Sequence, residues 1–319
     1  MTIIHKKYHG ISYMLLAAFG FSVMGGAAKL LKGSFNAGQL VFYRNLVGLI
    51  VLLIGFAVRP PVSHGGKLRW LIFRGIMGTV ALYTLLYCIL HLPLGTAMTY
   101  NLTSAIFIAV FSFFLFREYH GKEVLFSVLL GFAGMVLVYK PAMQFPWYYH
   151  LAGLISGISS AIAYITVGKL SKHYDARIIV ASFVTSGVLI PAICMLVRHL
   201  GGFTADEIFM PAFKIPAGIE WLYILLLGLA ALFGQYFVTR AYGADKAGVV
   251  SAISYANIVF SVFIGMLLGD AFPDGMSLSG ISCIILSGII VSIFKRRTTE
   301  LPVENADQTV ELKNKSGVV

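Results

Sequence analysis

Apolar runs of about 20 residues alternate with short polar connections along almost the whole chain. They cover roughly 11–31, 40–58, 68–90, 95–116, 123–139, 148–170, 178–197, 220–242, 247–268 and 276–294. A helix needs about 20 apolar residues to cross the hydrocarbon of a bilayer. The pattern predicts an all-α integral membrane protein with ten transmembrane helices. Several runs are rich in small residues, as in Gly153-x-x-x-Gly157 and Gly131-x-x-Gly134. Small residues let helix backbones approach in lipid, so these spans are expected to pack against one another.

The pattern repeats. Residues 92–141 hold two apolar runs joined by the hinge Arg117-Glu118-Tyr119-His120, and residues 246–295 hold two more. Glu118 and Asp270 occupy the same place in the two copies, as do Gly134 and Gly288, and Lys140 and Lys295. Ala28-Lys29-Leu30 matches Gly168-Lys169-Leu170, and Arg69-Trp70-Leu71 matches Glu220-Trp221-Leu222. Each half has five spans, an odd number, so the second half is inverted relative to the first. Inverted repeats build alternating-access carriers, with the site between the repeats near the midplane. The expected division is an N-terminus over 1–10, a first five-helix repeat over 11–140, a second over 141–295 and a disordered tail over 296–319.

Composition agrees with a membrane reading. The chain is 58% hydrophobic and only 12% charged, with mean hydropathy +0.86. Soluble domains carry about a quarter charged residues. The net charge of +11 invites a nucleic-acid partner. That reading is rejected, because the basic residues sit in short clusters between apolar runs. With a cytoplasmic N-terminus, 17 of the 24 Lys and Arg fall inside, five fall outside, and Arg44 and Arg74 lie within spans. The positive-inside bias then places both termini in the cytoplasm. Cys88, Cys194 and Cys283 each lie in an apolar run with no metal or redox spacing.

Leu92-Pro93-Leu94-Gly95-Thr96-Ala97 enters span four, Phe116-Arg117-Glu118 leaves it, and Gly131-x-x-Gly134-x-x-Leu137 lies in span five. These stretches resemble the repeat motifs of the EamA-type branch of the drug/metabolite transporter superfamily. The second copy departs from the pattern, with Asp270 in place of Glu and no Pro near Asn257. The resemblance covers roughly residues 10–295. It implies small-metabolite transport, a central cavity lined by spans one to four and six to nine, and peripheral spans five and ten.

The 13 acidic residues and eight histidines all fall at span ends, in loops or in the tail. Proton-coupled carriers commonly use a buried Asp, Glu or His as a relay, so uniport or exchange is expected. Glu118 and Asp270 are the symmetric candidates for gating or coupling, or else they cap helices and pair with nearby Arg117 and Lys122. Arg44 is the deepest charge. It either receives a substrate carboxylate or phosphate through paired hydrogen bonds, or it snorkels to the interface or bonds to carbonyls of a neighbouring helix. Arg74 lies nearer the inner end of span three, where snorkelling competes with an inner-gate contact.

Thr99 and Thr103 share a face of span four, and the repeat offset pairs them with Ser251 and Tyr255. Tyr100, Asn101, Ser104, Ser254 and Asn257 surround that set. Tyr83 and Tyr87 on span three and Gln235 on span eight complete the expected cavity wall, since aromatic faces hold planar or cationic groups. Ser22, Ser156 and Ser160 are read as close-packing residues.

No G-x-S-x-G, H-E-x-x-H or P-loop is present, so the expectation is a carrier, with no cofactor and no metal. Its partners are a small-molecule substrate and the lipid bilayer, and the reading is compatible with a monomer or a homodimer. The expected setting is a bacterial inner membrane. An amino acid or a derivative such as S-adenosylmethionine is the expected cargo. A nucleotide-sugar or phosphorylated-sugar exchanger is the alternative within the class. A lipid scramblase or intramembrane enzyme is the alternative outside it, and an open lateral furrow would mark the scramblase.

Overall fold

In the computed structural model the described residues are 9–91, 100–116, 122–139, 146–201, 212–268, 274–276 and 278–290. They form α1 (His9–Leu30), α2 (Ala37–Val58), α3 (Leu68–His91), α4 (Ser104–Phe116), α5 (Lys122–Tyr139), α6 (Trp147–Leu170), α7 (Ala176–Gly201) and α8 (Glu220–Ala244). They continue as α9 (Ala247–Leu267) and α10 (Leu278–Ile290). This is the all-α membrane fold that the apolar pattern predicts, and seven of the helices are long and apolar enough to cross a bilayer. Leu53, Ile54, Phe126 and Leu222 are all more than half exposed on the outside of the bundle. In water such a surface would drive association, whereas in lipid it is ordinary.

The helices pair as two interlocked halves. The most extensive contacts are α1 with α8 and α3 with α6, which exchange when the halves are swapped. The same holds for α2 with α8 and α3 with α7, while α2 against α7 maps onto itself. That crossing shows the internal symmetry residue by residue. Gly48 lies against Val184, and Gly187 lies against Asn45. Both the 45/184 and the 48/187 pairs are 139 apart, so the same contact is made twice. Helix starts obey the same offset: Asn36 caps α2 by accepting from the Gln39 backbone N–H at 3.0 Å. Asp175, just before α7, accepts from the Arg177 backbone N–H at 2.8 Å.

The connections close the bundle ends in matching fashion. At the N-terminal face the His64 N–H donates to the His173 carbonyl at 3.0 Å, and Arg177 Nη1 donates to the Arg59 carbonyl at 2.7 Å. At the opposite face Gln39 Nε2 donates to the Ala212 carbonyl at 2.7 Å, and Lys214 Nζ donates to the Ser34 carbonyl at 2.6 Å. Burial alone would raise the Asp175 carboxyl, but hydrogen bonds from the Arg177 side chain and backbone hold it below the usual carboxylate range.

Two spans are interrupted rather than continuous. Helical residues before Thr103 end in a turn, where the Thr103 N–H at 3.2 Å and its hydroxyl at 2.5 Å both donate to the Tyr100 carbonyl. α9 breaks at Tyr255, between Ala247–Ser254 and Ala256–Leu267. Thr103 and Tyr255, paired at the repeat offset in the sequence, are both turn residues, the first just before α4 and the second within α9.

Polar bonds tie the halves together beside these breaks. Asn257 Nδ2 donates to the Ala18 carbonyl at 2.9 Å and to Ser22 Oγ at 3.0 Å. Ser22 Oγ in turn donates to the Asn257 carbonyl at 2.9 Å. Ser22 is therefore a hydrogen-bonding residue and more than a close-packing one. Interhelical bonds in lipid contribute about 0.6 kcal/mol on average and up to about 1.7 kcal/mol. Asn257→Leu removes two of them and is expected to cost about 1 kcal/mol, seen as a lower melting temperature in detergent. An unchanged melting temperature would show that α1 and α9 are held by packing alone.

Candidate functional site

A cavity of about 100 Å³ lies at the centre of the bundle. Its wall includes Met24 (α1), Arg44 (α2), Arg74 (α3), Ser104 (α4), Ser160 (α6), Phe183 (α7), Gln235 (α8) and Asn257 (α9). Helices α1–α4 and α6–α9 thus all contribute, as the family resemblance implies, and no described residue of α5 or α10 lines it. Pockets for small ligands run from about 300 Å³ upward. At this size the cavity holds a few waters, so a larger cargo requires the wall to part.

Two arginines reach the cavity from opposite ends of the bundle. Arg44 sits about two turns into α2, whose start is at one face, and Arg74 sits less than two turns into α3, whose start is at the other. Their guanidinium carbons lie 5.3 and 4.9 Å from the centroid of the same Phe183 ring. Arg44 is 4% exposed and Arg74 1%. The snorkelling alternative does not hold for either: both side chains turn inward, where the ring face gives partial compensation.

Arg44 Nη1 donates to Asn45 Oδ1 at 3.0 Å and Nε approaches Met24 Sδ at 3.3 Å. Arg74 is different. Its Nε and Nη1 are buried without a hydrogen-bond partner among the described residues, and so is Nε2 of Gln235. Buried donors are normally satisfied, and each exception calls for an explanation. Among the described residues the unmet groups of this cavity are all donors, and no described Asp or Glu lines it.

Of the expected wall residues, Asn101, Gln235 and Arg44 line this cavity together. Asn101 Nδ2 donates to Ser156 Oγ at 3.1 Å and to Ser160 Oγ at 3.2 Å. Thr103, Ser251 and Tyr255 do not line the cavity. The Thr103 and Ser251 hydroxyls turn back to the carbonyls of Tyr100 and Gly248. Tyr255 is fully buried, with its ring in the space left by Gly131 of α5. Their neighbours Ser104, Ser254 and Asn257 face the cavity instead.

Tyr83 is partly buried against the hydrophobic cluster of α1, α2, α3, α7 and α8, outside the cavity wall. Tyr87 lines a separate pocket of about 300 Å³ at the face opposite the N-terminus, together with Lys32, Asn36 and His91. Thr99, Glu118 and Asp270 lie outside the described residues.

Phe183, Tyr164 and Tyr242 complete the wall. Phe183 was legible in principle, since the 139-residue offset makes it the counterpart of Arg44. The Tyr164 and Tyr242 rings stack at 5.0 Å with an interplanar angle of 13°. Both also line a vestibule of about 810 Å³ at the N-terminal face. The stacked pair is therefore the partition between vestibule and cavity. Among the described residues no three His, Cys, Asp or Glu side chains group as a metal site would require.

A polytopic bundle of two pseudo-symmetric halves around a polar central cavity is the architecture of a membrane transporter. Comparison with known proteins gives the family. Residues 9–140 match the EamA-like transporter family. An uncharacterized transporter of Helicobacter pylori is 30% identical over 89% of this chain and 94% of its own length. The pseudopaline exporter of Pseudomonas aeruginosa is 28% identical over 90% and 97%. One crystal structure superposes with a TM-score of 0.72 at 20% identity, covering 92% of this chain and 97% of that one, and it supports the fold. The chain belongs to the EamA-like transporter family of the drug/metabolite transporter superfamily.

Proposed function

We propose that the protein is a secondary carrier that moves a small carboxylate-bearing metabolite across a bacterial inner membrane by alternating access, with both termini in the cytoplasm. The observation that carries this reading is the buried arginine pair in a central cavity, with two donors of Arg74 unmet. A charge kept in a low-dielectric site needs a partner or a functional reason, and a carboxylate accepts paired hydrogen bonds from a guanidinium. The contracted cavity and the Tyr164–Tyr242 partition suit a carrier that rearranges to load, and the positive-inside bias supports the orientation.

Amino acids and amino-acid-derived compounds fall within this substrate class. In S-adenosylmethionine the sulfonium would bring a cation against two others, so the carboxylate carries the expectation. One relative is named as a pseudopaline exporter, which supports a whole small organic molecule as cargo. The polar residues converge inward, which favours a carrier over the scramblase alternative. Two arginines make a sparser basic cavity than a nucleotide-sugar exchanger would need.

The test is uptake into proteoliposomes from a labelled pool of amino acids, S-adenosylmethionine and nucleotides, with and without a pH gradient, and again with Arg44→Ala. Gradient-independent uptake of a carboxylate-bearing compound, lost in the variant, is expected. Uptake that requires a pH gradient would show that a titrating group couples transport, and attention would move to Glu118 and Asp270.

A further inference from the structure

We infer that the cargo carries two anionic groups, so that the central cavity is a site for a small organic dianion of the dicarboxylate class. This rests on the carrier reading above and adds a charge count to it. Arg44 and Arg74 share the Phe183 ring and stand at most about 10 Å apart. Neither has an acidic partner among the cavity-lining residues. A ligand with one negative charge would neutralise one guanidinium and leave the other buried and uncompensated. A ligand with two would neutralise both.

The hydrogen-bond inventory points the same way. Arg74 Nε and Nη1 and Gln235 Nε2 are donors without partners, and Arg and Lys side chains have no acceptor capacity to offer a ligand. The cavity therefore favours a ligand rich in acceptors, and each carboxylate brings two oxygens. Arg44 and Arg74 also differ in state. Arg44 is tethered to Asn45, while two donors of Arg74 are unmet. Arg74 is the more available of the two, and Arg44 is pre-positioned.

The approach to the cavity from the N-terminal face has the same sign. Lys67, Lys169, Lys172 and Lys246 line the vestibule, with Asp245 the single acidic residue among its described lining residues. These lysines also satisfy the positive-inside bias, so the charge count stands on the two arginines and the vestibule only agrees with it. Local positive potential raises the concentration of an anion at the mouth.

The experiment uses the full-length protein in proteoliposomes and in detergent. Uptake and ligand-induced thermal stabilisation are measured for matched acids that differ in one carboxylate: succinate against butyrate, and adipate against hexanoate. The wild type is expected to prefer at least one dicarboxylate over its partner by tenfold or more. Arg44→Gln and Arg74→Gln are each expected to erase that preference, with Arg74→Lys retaining part of it. Transport of monocarboxylates as well as or better than dicarboxylates would overturn the dianion assignment and leave the carrier reading in place. A preference that survives in both glutamine variants would also overturn it. Failure of the folded wild type to bind or move any of these acids would overturn the dianion assignment, and the labelled-pool uptake would decide the carrier reading separately.

Discussion

Arg74→Gln is expected to make the empty protein more stable and to cut uptake of a dianionic cargo sharply. The side chain is buried with two donors unmet and no carboxylate in contact. An uncompensated buried cation costs several kcal/mol after relaxation, and an arginine at the centre of a membrane helix costs about 2.5–3.5 kcal/mol even on the lenient insertion scale. The Phe183 ring returns part of that, about 2 kcal/mol when desolvated. Glutamine keeps a donor and most of the side-chain length but drops the charge. The net expectation is a gain of about 1–2 kcal/mol and a melting temperature higher by several degrees. Uptake of an anionic cargo should fall by about 100-fold, the scale of losing one partner of a buried charge pair.

Arg44→Gln should gain less, because Asn45 Oδ1 loses its donor at 3.0 Å. A site that is strained when empty and neutralised when loaded trades stability for function. A lower melting temperature for Arg74→Gln would instead make Arg74 a residue that holds α3 against α7.

Much of this architecture could be read from the chain because lipid imposes a strong rule. Every backbone group in the bilayer must be satisfied within a helix, so length and apolarity placed most spans within a few residues of their structural bounds. α1 was expected over 11–31 and runs His9–Leu30, and α8 was expected over 220–242 and runs Glu220–Ala244. The inverted duplication was legible from Ala28-Lys29-Leu30 against Gly168-Lys169-Leu170, and helix pairing now carries it through the bundle.

The site was legible only in part. Arg44, Asn101 and Gln235 could be found because polar groups are rare at that depth. Arg74 was misplaced because distance from a helix end does not say which way a long side chain turns. Thr103, Ser251 and Tyr255 lie off the wall, because repeat spacing pairs positions without saying which face of each helix meets the cavity. The repeat also hides the site's asymmetry. A two-fold scaffold would put an arginine at both 44 and 183, but the second position is Phe183. One half supplies a charge and the other supplies the surface on which it rests.

The same crossing of α2 and α7 yields a contrast between two glycines at equivalent positions, with opposite expected outcomes. A Cβ at Gly48 would sit 3.5 Å from Val184, an ordinary van der Waals distance. Glycine within a helix costs about 1 kcal/mol relative to alanine. Gly48→Ala is therefore expected to be neutral or stabilising by up to about 1 kcal/mol. A Cβ at Gly187 would overlap the amide of Asn45. That amide cannot simply swing away. Asn45 Nδ2 donates to the Val41 carbonyl at 2.8 Å, and Oδ1 accepts from Arg44.

Gly187→Ala should consequently cost about 2 kcal/mol through overpacking and broken hydrogen bonds, and Gly187→Leu should prevent stable folding. Because the displaced amide positions Arg44, Gly187→Ala should also weaken anion binding in whatever protein survives. Asn45→Ala makes the missing room, so Gly187→Ala added to Asn45→Ala should cost much less than it does alone. A double-mutant cycle on melting temperature measures that coupling directly. Additive effects would mean that Gly187 and Asn45 do not meet, and the helix crossing that places Arg44 beside Phe183 would have to be redrawn.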